Sequence, residues 1–213
     1  MTGGPDRHRR SLRLKDYDYA QAGAYFVTIC TQDRACLFGA IVDGAMQLSD
    51  AGSTVEQCWS QIPEHFRDVV LDEFVVMPNH VHGILVINPA VPAVPAVPVV
   101  PVVPAVGATH ASPLRNGPRP GSLGAIVGSF KSAVTRRINQ TCHSLGATVW
   151  QRNYYEHIIR DEASLHGIRE YIANNPLQWA LDRENPTNET GRGIVGARHA
   201  SPLPGASPTW EGV

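Results

Sequence analysis

One stretch restricts the fold more than any other. From residue 89 the chain reads PAVPAVPAVPVVPVVPAVG, and it stays rich in proline, glycine and polar residues to residue 121. Proline every few residues removes backbone donors and fixes φ, which excludes a helix and most sheet pairing. The segment is therefore expected to be an extended insert or linker. Any folded core must come from the sequence on either side. The chain has 213 residues, 43% of them hydrophobic, which suits one ordinary domain with tails. The expected organisation is a flexible basic arm at 1–15, a single domain at 16–186 interrupted by the insert at 89–121, and a disordered tail at 187–213. A short echo, GATHASPL at 107–114 and GARHASPL at 196–203, falls in Pro/Gly-rich surroundings and reads as a duplicated surface segment.

Residues 24–32, AYFVTICTQ, carry aromatic and β-branched side chains at strand density. Residues 36–48 read as a hairpin turning at Asp43-Gly44. Ser49 can cap a helix that places Val55, Cys58, Trp59 and Ile62 on one face and ends at Pro63. Two further strands, 69–76 and 80–87, flank the turn-forming Met77-Pro78-Asn79. Beyond the insert, Ser122 caps a helix with Leu123, Ile126, Val127, Phe130, Val134 and Ile138 at helical spacing and Lys131, Arg136 and Arg137 opposite them. Residues 149–159 contain another strand. Residues 162–175 form a helix with Leu165, Ile168 and Ile172 as its apolar stripe, closed by Pro176. This order predicts an α+β fold: a ferredoxin-like antiparallel sheet with helices on one face.

Charge and cysteine usage narrow the setting. The net charge is −1, yet no Asp or Glu occurs from Phe74 through Tyr155, where Arg115, Arg119, Lys131, Arg136, Arg137 and Arg152 lie. A second basic cluster, Arg7, Arg9, Arg10, Arg13 and Lys15, opens the chain. Such segregation can give one positive face for a phosphate backbone; a solvated basic face without a partner is the alternative. The four cysteines show no CxxC pair, as expected of thiols in a reducing cytoplasm. No secretory signal and no apolar run long enough for a membrane span is visible.

His80 and His82 sit two apart in NHVHGILVI, so a strand points both imidazoles to one face, where they can share a metal ion. Tyr171 and Asn175 are four apart in REYIANNP and share a helix face. An amide oxygen from Asn175 would complete a set of two nitrogens and one oxygen that suits Mg²⁺ or Mn²⁺ rather than a structural zinc cage. A phenol with its proton held near pKa 10 is a weak nucleophile unless a metal polarises its target. Other readings of the same residues stay open: an exposed or internally satisfied histidine pair, a core tyrosine beside Ile168 and Ile172, and a helix-terminal asparagine before proline.

MPNHVHGIL, GSFKSAVTRRIN, VWQRNYYEHIIRDE and REYIANNP, in this order, resemble the REP-associated tyrosine transposases, HUH single-strand transposases with one catalytic tyrosine. The resemblance runs from about Arg9 to Pro186 apart from the insert. It implies a ferredoxin-like sheet with the HUH strand central, His80, His82 and Asn175 as ligands of Mg²⁺ or Mn²⁺, and Tyr171 as nucleophile. The implied reaction cuts and rejoins single-stranded DNA at hairpin-bearing sites through a 5′-phosphotyrosine. Arg9, Arg10, Arg13, Lys131, Arg136, Arg137 and Arg152 are the expected DNA contacts, and Trp150, Tyr154 and Tyr155 could stack on bases. The resemblance also implies a bacterial cytoplasmic protein at the nucleoid, with a homodimer as one arrangement of the family. Two other functions fit the same residues: a non-catalytic DNA-binding protein on this fold, and a metal-dependent small-molecule hydrolase. The latter would need a carboxylate or third histidine near the pair, for which His157 is the sequence candidate.

Overall fold

The computed structural model describes residues 17–88 and 118–188, apart from Leu145 and Arg183. The basic arm with Arg9, Arg10 and Arg13, residues 89–117 of the insert, and the tail from 189 lie outside the described residues. The elements are β1 (Gly23–Cys30), β2 (Gly39–Val42), β3 (Ala45–Leu48), α1 (Asp50–Ser60), α2 (Ile62–His65), β4 (Val69–Met77), β5 (His80–Ile87), α3 (Leu123–Thr141), β6 (Tyr155–Ile159) and α4 (Glu162–Asn174).

Local signals place most of these boundaries. Ser49 Oγ accepts from Gly52 N at 3.1 Å and Ser122 Oγ from Ala125 N at 3.3 Å, starting α1 and α3 as expected. Asp161 caps α4 through Ser164 N at 2.7 Å. Asp43 and Gly44 turn the β2–β3 hairpin with φ of 51° and 76°, the left-handed pair that a two-residue hairpin loop requires. Pro63 does more than stop α1: it opens the four-residue turn α2, where its missing N–H has no helical partner to lose.

The main sheet has the order β4-β5-β1-β6 and is antiparallel at every junction. With α1 between β1 and β4 and α3 between β5 and β6, this is the split βαβ arrangement of a ferredoxin-like fold. The strand carrying His80 and His82 is central, as expected. The expectation that all helices lie on one face is corrected. Helices α1 and α3 pack over Tyr25, Val27, Ile29, Val81 and Leu85, whereas α4 packs Ile168 and Ile172 against Phe26, Ile84 and Ile159 on the opposite face. The reason is that β1 and β5 are apolar on both sides, so the second face also needs a cover. Fully burying an isoleucine contributes about 1.5–3 kcal/mol, and Ile168 and Ile172 supply two such side chains.

Candidate active site

The register of the sheet builds the site. β1 pairs with β5 so that Thr28 faces His82 and Cys30 faces His80, all on the α4 side. The two imidazoles converge, with Nε2 of His80 3.0 Å from Nε2 of His82. Both are buried, at 0% and 3% exposure. Burial and the neighbouring His82 and Arg34 hold the His80 pKa well below the ordinary imidazole range, and burial lowers that of His82 to about 3. Both rings are therefore neutral at physiological pH, as a ligand imidazole must be.

The outer ring nitrogens are already engaged. Asn79 Nδ2 donates to the carbonyls of Arg34 at 3.1 Å and Glu184 at 2.6 Å, which fixes its amide orientation. Its Oδ1 then accepts from Nδ1–H of His80 at 2.8 Å, leaving the His80 Nε2 lone pair facing inward. Thr28 Oγ1 lies 2.8 Å from Nδ1 of His82 and can fix that ring in the same way. Phe26 stacks on His82, with ring centroids 5.4 Å apart, and walls the site.

Helix α4 brings the tyrosine. Tyr171 Oη lies 3.3 Å from Nε2 of His82, and its hydroxyl is hydrogen-bonded by the Asn175 side chain. Burial raises the Tyr171 pKa above the usual phenol range, with Asp182 adding to the effect and the Asn175 bond opposing it. Asn175 is itself buried, and its Oδ1 has no protein partner. Such an orphaned acceptor is what an amide ligand to a cation looks like without the cation. Two imidazole nitrogens 3.0 Å apart also match neighbouring ligands on an ion with bonds of about 2.1 Å. The donor set fits a divalent ion. Arg169, two residues before Tyr171, clamps α4 to β4 through a two-pronged pair with Asp72 at 2.8 and 2.6 Å.

Other expected site residues lie elsewhere. Helix α3 covers the far face of the sheet, so Lys131, Arg136 and Arg137 are not gathered around the histidines. Arg136 and Arg137 line a cleft of about 320 Å³ with Gln61, His65 and Gln140, and Arg137 donates to Gln61 Oε1 at 2.8 Å. Lys131 donates to the carbonyls of Gln151 at 2.6 Å and Arg152 at 3.2 Å, and burial lowers its pKa to about 8. Arg152 is exposed beside it. Tyr155 opens β6 and faces the site side, edge-on to Phe26, whereas Tyr154 packs towards the α1–α3 core.

The sequence reading missed a carboxylate. His157 is half-buried on β6, pairing in register with Phe26. The acid beside the histidines is instead Asp182, with Oδ2 3.8 Å from Nε2 of His80. Potential ligand atoms of His80, His82 and Asp182 all lie within 4.8 Å of one another. Asp182 follows an aperiodic 3-10 turn, Pro176–Leu181, and nothing local marks it as different from its acidic neighbours. No helix among the described residues is long and apolar enough to cross a membrane.

Comparison with known proteins adds relatives. No protein-family model matches the chain. It is 46% identical over 176 residues to an uncharacterised protein of Haemophilus influenzae, a match spanning 83% of this chain and 92% of that protein. A second H. influenzae protein, assigned to the REP-associated tyrosine transposases, is 23% identical over 172 residues, spanning 76% of this chain and 74% of the relative. Among solved structures, a REP-associated tyrosine transposase bound to a REP hairpin aligns at TM-score 0.45 and 15% identity over 79% of this chain and 74% of that one. A Deinococcus radiodurans protein assigned as a transposase aligns at TM-score 0.40 and 18% identity, over 77% and 97%.

Proposed function

This chain belongs to one family with the uncharacterised H. influenzae protein and is related to the REP-associated tyrosine transposases, and from that premise we propose that it is a DNA strand transferase that cuts and rejoins single-stranded DNA with Tyr171. The single observation that carries the reading is the Tyr171 hydroxyl aimed at the paired imidazoles from a helix clamped to the same sheet.

His80, His82 and Asn175 would hold a divalent ion, Mg²⁺ or Mn²⁺. When bound, the ion supplies Lewis-acid polarisation of a phosphodiester oxygen. Tyr171 Oη attacks phosphorus, the P–O3′ bond breaks, and the products are a 5′-phosphotyrosine and a free 3′-hydroxyl. Attack by that hydroxyl, or by another 3′-hydroxyl, reverses the step without ATP. In the resting protein the raised pKa keeps the proton on Oη, and the Asn175 amide is placed to stabilise the phenolate as it forms. Tyr171 and His82 meet within one chain, with Oη 3.3 Å from Nε2. Hairpin-bearing strands are the proposed targets. Arg152, the basic face of α3 and the arm with Arg9, Arg10 and Arg13 are the proposed backbone contacts.

The test is incubation of the protein with hairpin-bearing single-stranded oligonucleotides and Mn²⁺ or Mg²⁺, followed by denaturing electrophoresis. The expected result is a covalent protein–DNA adduct that His80→Ala and His82→Ala abolish. A second reading has one observation in its favour: the Asp182 carboxylate is the group that a small-molecule hydrolase would need beside the histidines. Metal-dependent hydrolysis of simple phosphoesters with no adduct on DNA would favour that reading. DNA binding without any adduct would favour a non-catalytic binding protein.

A further inference from the structure

The segment after α4 turns back across the end of the sheet, and several side-chain bonds fasten it there. Glu184 pairs with Arg34, Nε to Oε2, at 3.1 Å. The Glu184 carbonyl accepts from Asn79 at 2.6 Å, from the same amide that orients His80. Asn185 Nδ2 donates to the Trp179 carbonyl at 2.9 Å and Asn188 Nδ2 to the Asp182 carbonyl at 2.9 Å. The ring of Trp179 lies 6.1 Å from that of His80.

These bonds fix one side chain in particular. Asp182 Oδ1 accepts from Glu184 N at 2.7 Å, which locks the carboxylate in a local turn. The other oxygen, Oδ2, is thereby turned towards His80 Nε2 and stands 3.8 Å away, too far for a hydrogen bond. That gap, opposite two imidazole nitrogens 3.0 Å apart, is the size that a shared cation spans.

We propose that Asp182 is a further direct ligand of the divalent ion held by His80, His82 and Asn175, so that a carboxylate from the segment after α4 closes the site. The proposal rests on the metal reading given above and deepens it. A carboxylate adds a hard, anionic donor to two imidazoles, which shifts preference towards Mn²⁺ and Mg²⁺ and neutralises half the ion's charge. It also makes Asn79 the joint of the centre, because one amide orients His80 and holds the backbone two residues from Asp182.

The test is calorimetric titration of the full chain with Mn²⁺ alone, in the wild type, His80→Ala and Asp182→Asn. Asparagine can keep the turn bond to Glu184 N while presenting an amide nitrogen, which is no ligand, to the ion. The expected result is a loss of Mn²⁺ affinity of roughly tenfold or more in both variants, since perturbing even outer-shell partners costs about 10–100-fold. Wild-type affinity in Asp182→Asn with loss in His80→Ala overturns the Asp182 assignment and leaves the histidine site standing. No effect of either substitution, or no Mn²⁺ binding by the wild type, overturns the metal reading and this proposal with it. A second variant reads the coordination sphere directly. Asp182→Cys, loaded with Co²⁺ until its visible d–d bands appear, is expected to gain a near-ultraviolet thiolate-to-cobalt band that the wild type lacks. Bound Co²⁺ without that band overturns the proposal.

Discussion

Tyr171 Oη lies 3.3 Å from Nε2 of His82, although 89 residues separate them in the chain. The contact joins a helix on the second face of the sheet to its central strand. It exists because Phe26, Ile84, Ile168 and Ile172 bury that helix against the strand and Arg169 grips Asp72 beside it. The chemistry proposed for the chain depends on that alignment, and it can be probed one residue at a time.

Removing only the hydroxyl separates reaction from packing. Tyr171→Phe keeps the edge-on contact with Phe26 and gives up one long hydrogen bond, so thermal stability should change by less than about 1 kcal/mol. DNA binding should persist and adduct formation should vanish. Peptide mapping of the wild-type adduct should place the nucleotide on the Tyr171 peptide; an adduct on Tyr155, which also faces this side, would reverse the assignment.

The metal-free protein should lose stability in mild acid. His82 has its pKa lowered to about 3, against 6.5 when exposed, and His80 is shifted the same way. Between those values the unfolded chain binds protons that the folded chain refuses, so unfolding free energy rises with pH. It is fully present above about pH 6.5 and declines as pH falls from there towards 3, by up to about 1.4 kcal/mol per pH unit for each imidazole. Denaturant titrations across this range, with chelator present, measure the slope. A flat profile would mean that the rings are hydrated in solution.

Asn79→Ala should damage the site more than its distance from Tyr171 suggests. It strands the buried His80 Nδ1–H donor, at about 1–3 kcal/mol, and removes the bonds that the same amide gives to the Arg34 and Glu184 carbonyls. It also frees the His80 ring to rotate, which should lower divalent-ion affinity roughly 10- to 100-fold. Calorimetry with Mn²⁺ and thermal unfolding on the same sample check both. Wild-type metal affinity would show that the ring is held by packing alone.

Gly83→Ala tests the reverse face of the same strand. A Cβ there would run into the Trp59 ring at Cζ2, and Trp59 is pinned between Phe74 and Phe130. The ring cannot move aside without disturbing the core, so a destabilisation of about 1–3 kcal/mol is expected in chemical denaturation. Unchanged stability would mean that α1 sits less tightly on β5.

What the sequence determined by itself is what nearest neighbours control. A two-residue spacing in a strand puts His80 and His82 on one face, and a four-residue spacing in a helix does the same for Tyr171 and Asn175, whatever surrounds them. Ser49, Ser122 and the Asp43-Gly44 turn likewise fix element boundaries through bonds made within a few residues. The side of the sheet taken by α4 was not legible, because β1 and β5 are apolar on both faces and show no alternation from which to read an inside and an outside. Nor were the partners of the histidines. Thr28 meets His82 only through strand register, and Asp182 meets His80 only because Asn79, Arg34 and Glu184 fasten an aperiodic segment across the sheet end. Spacing along a chain encodes which side chains share a local face. Which distant faces meet is decided by the burial of whole elements, and that is a property of the folded structure alone.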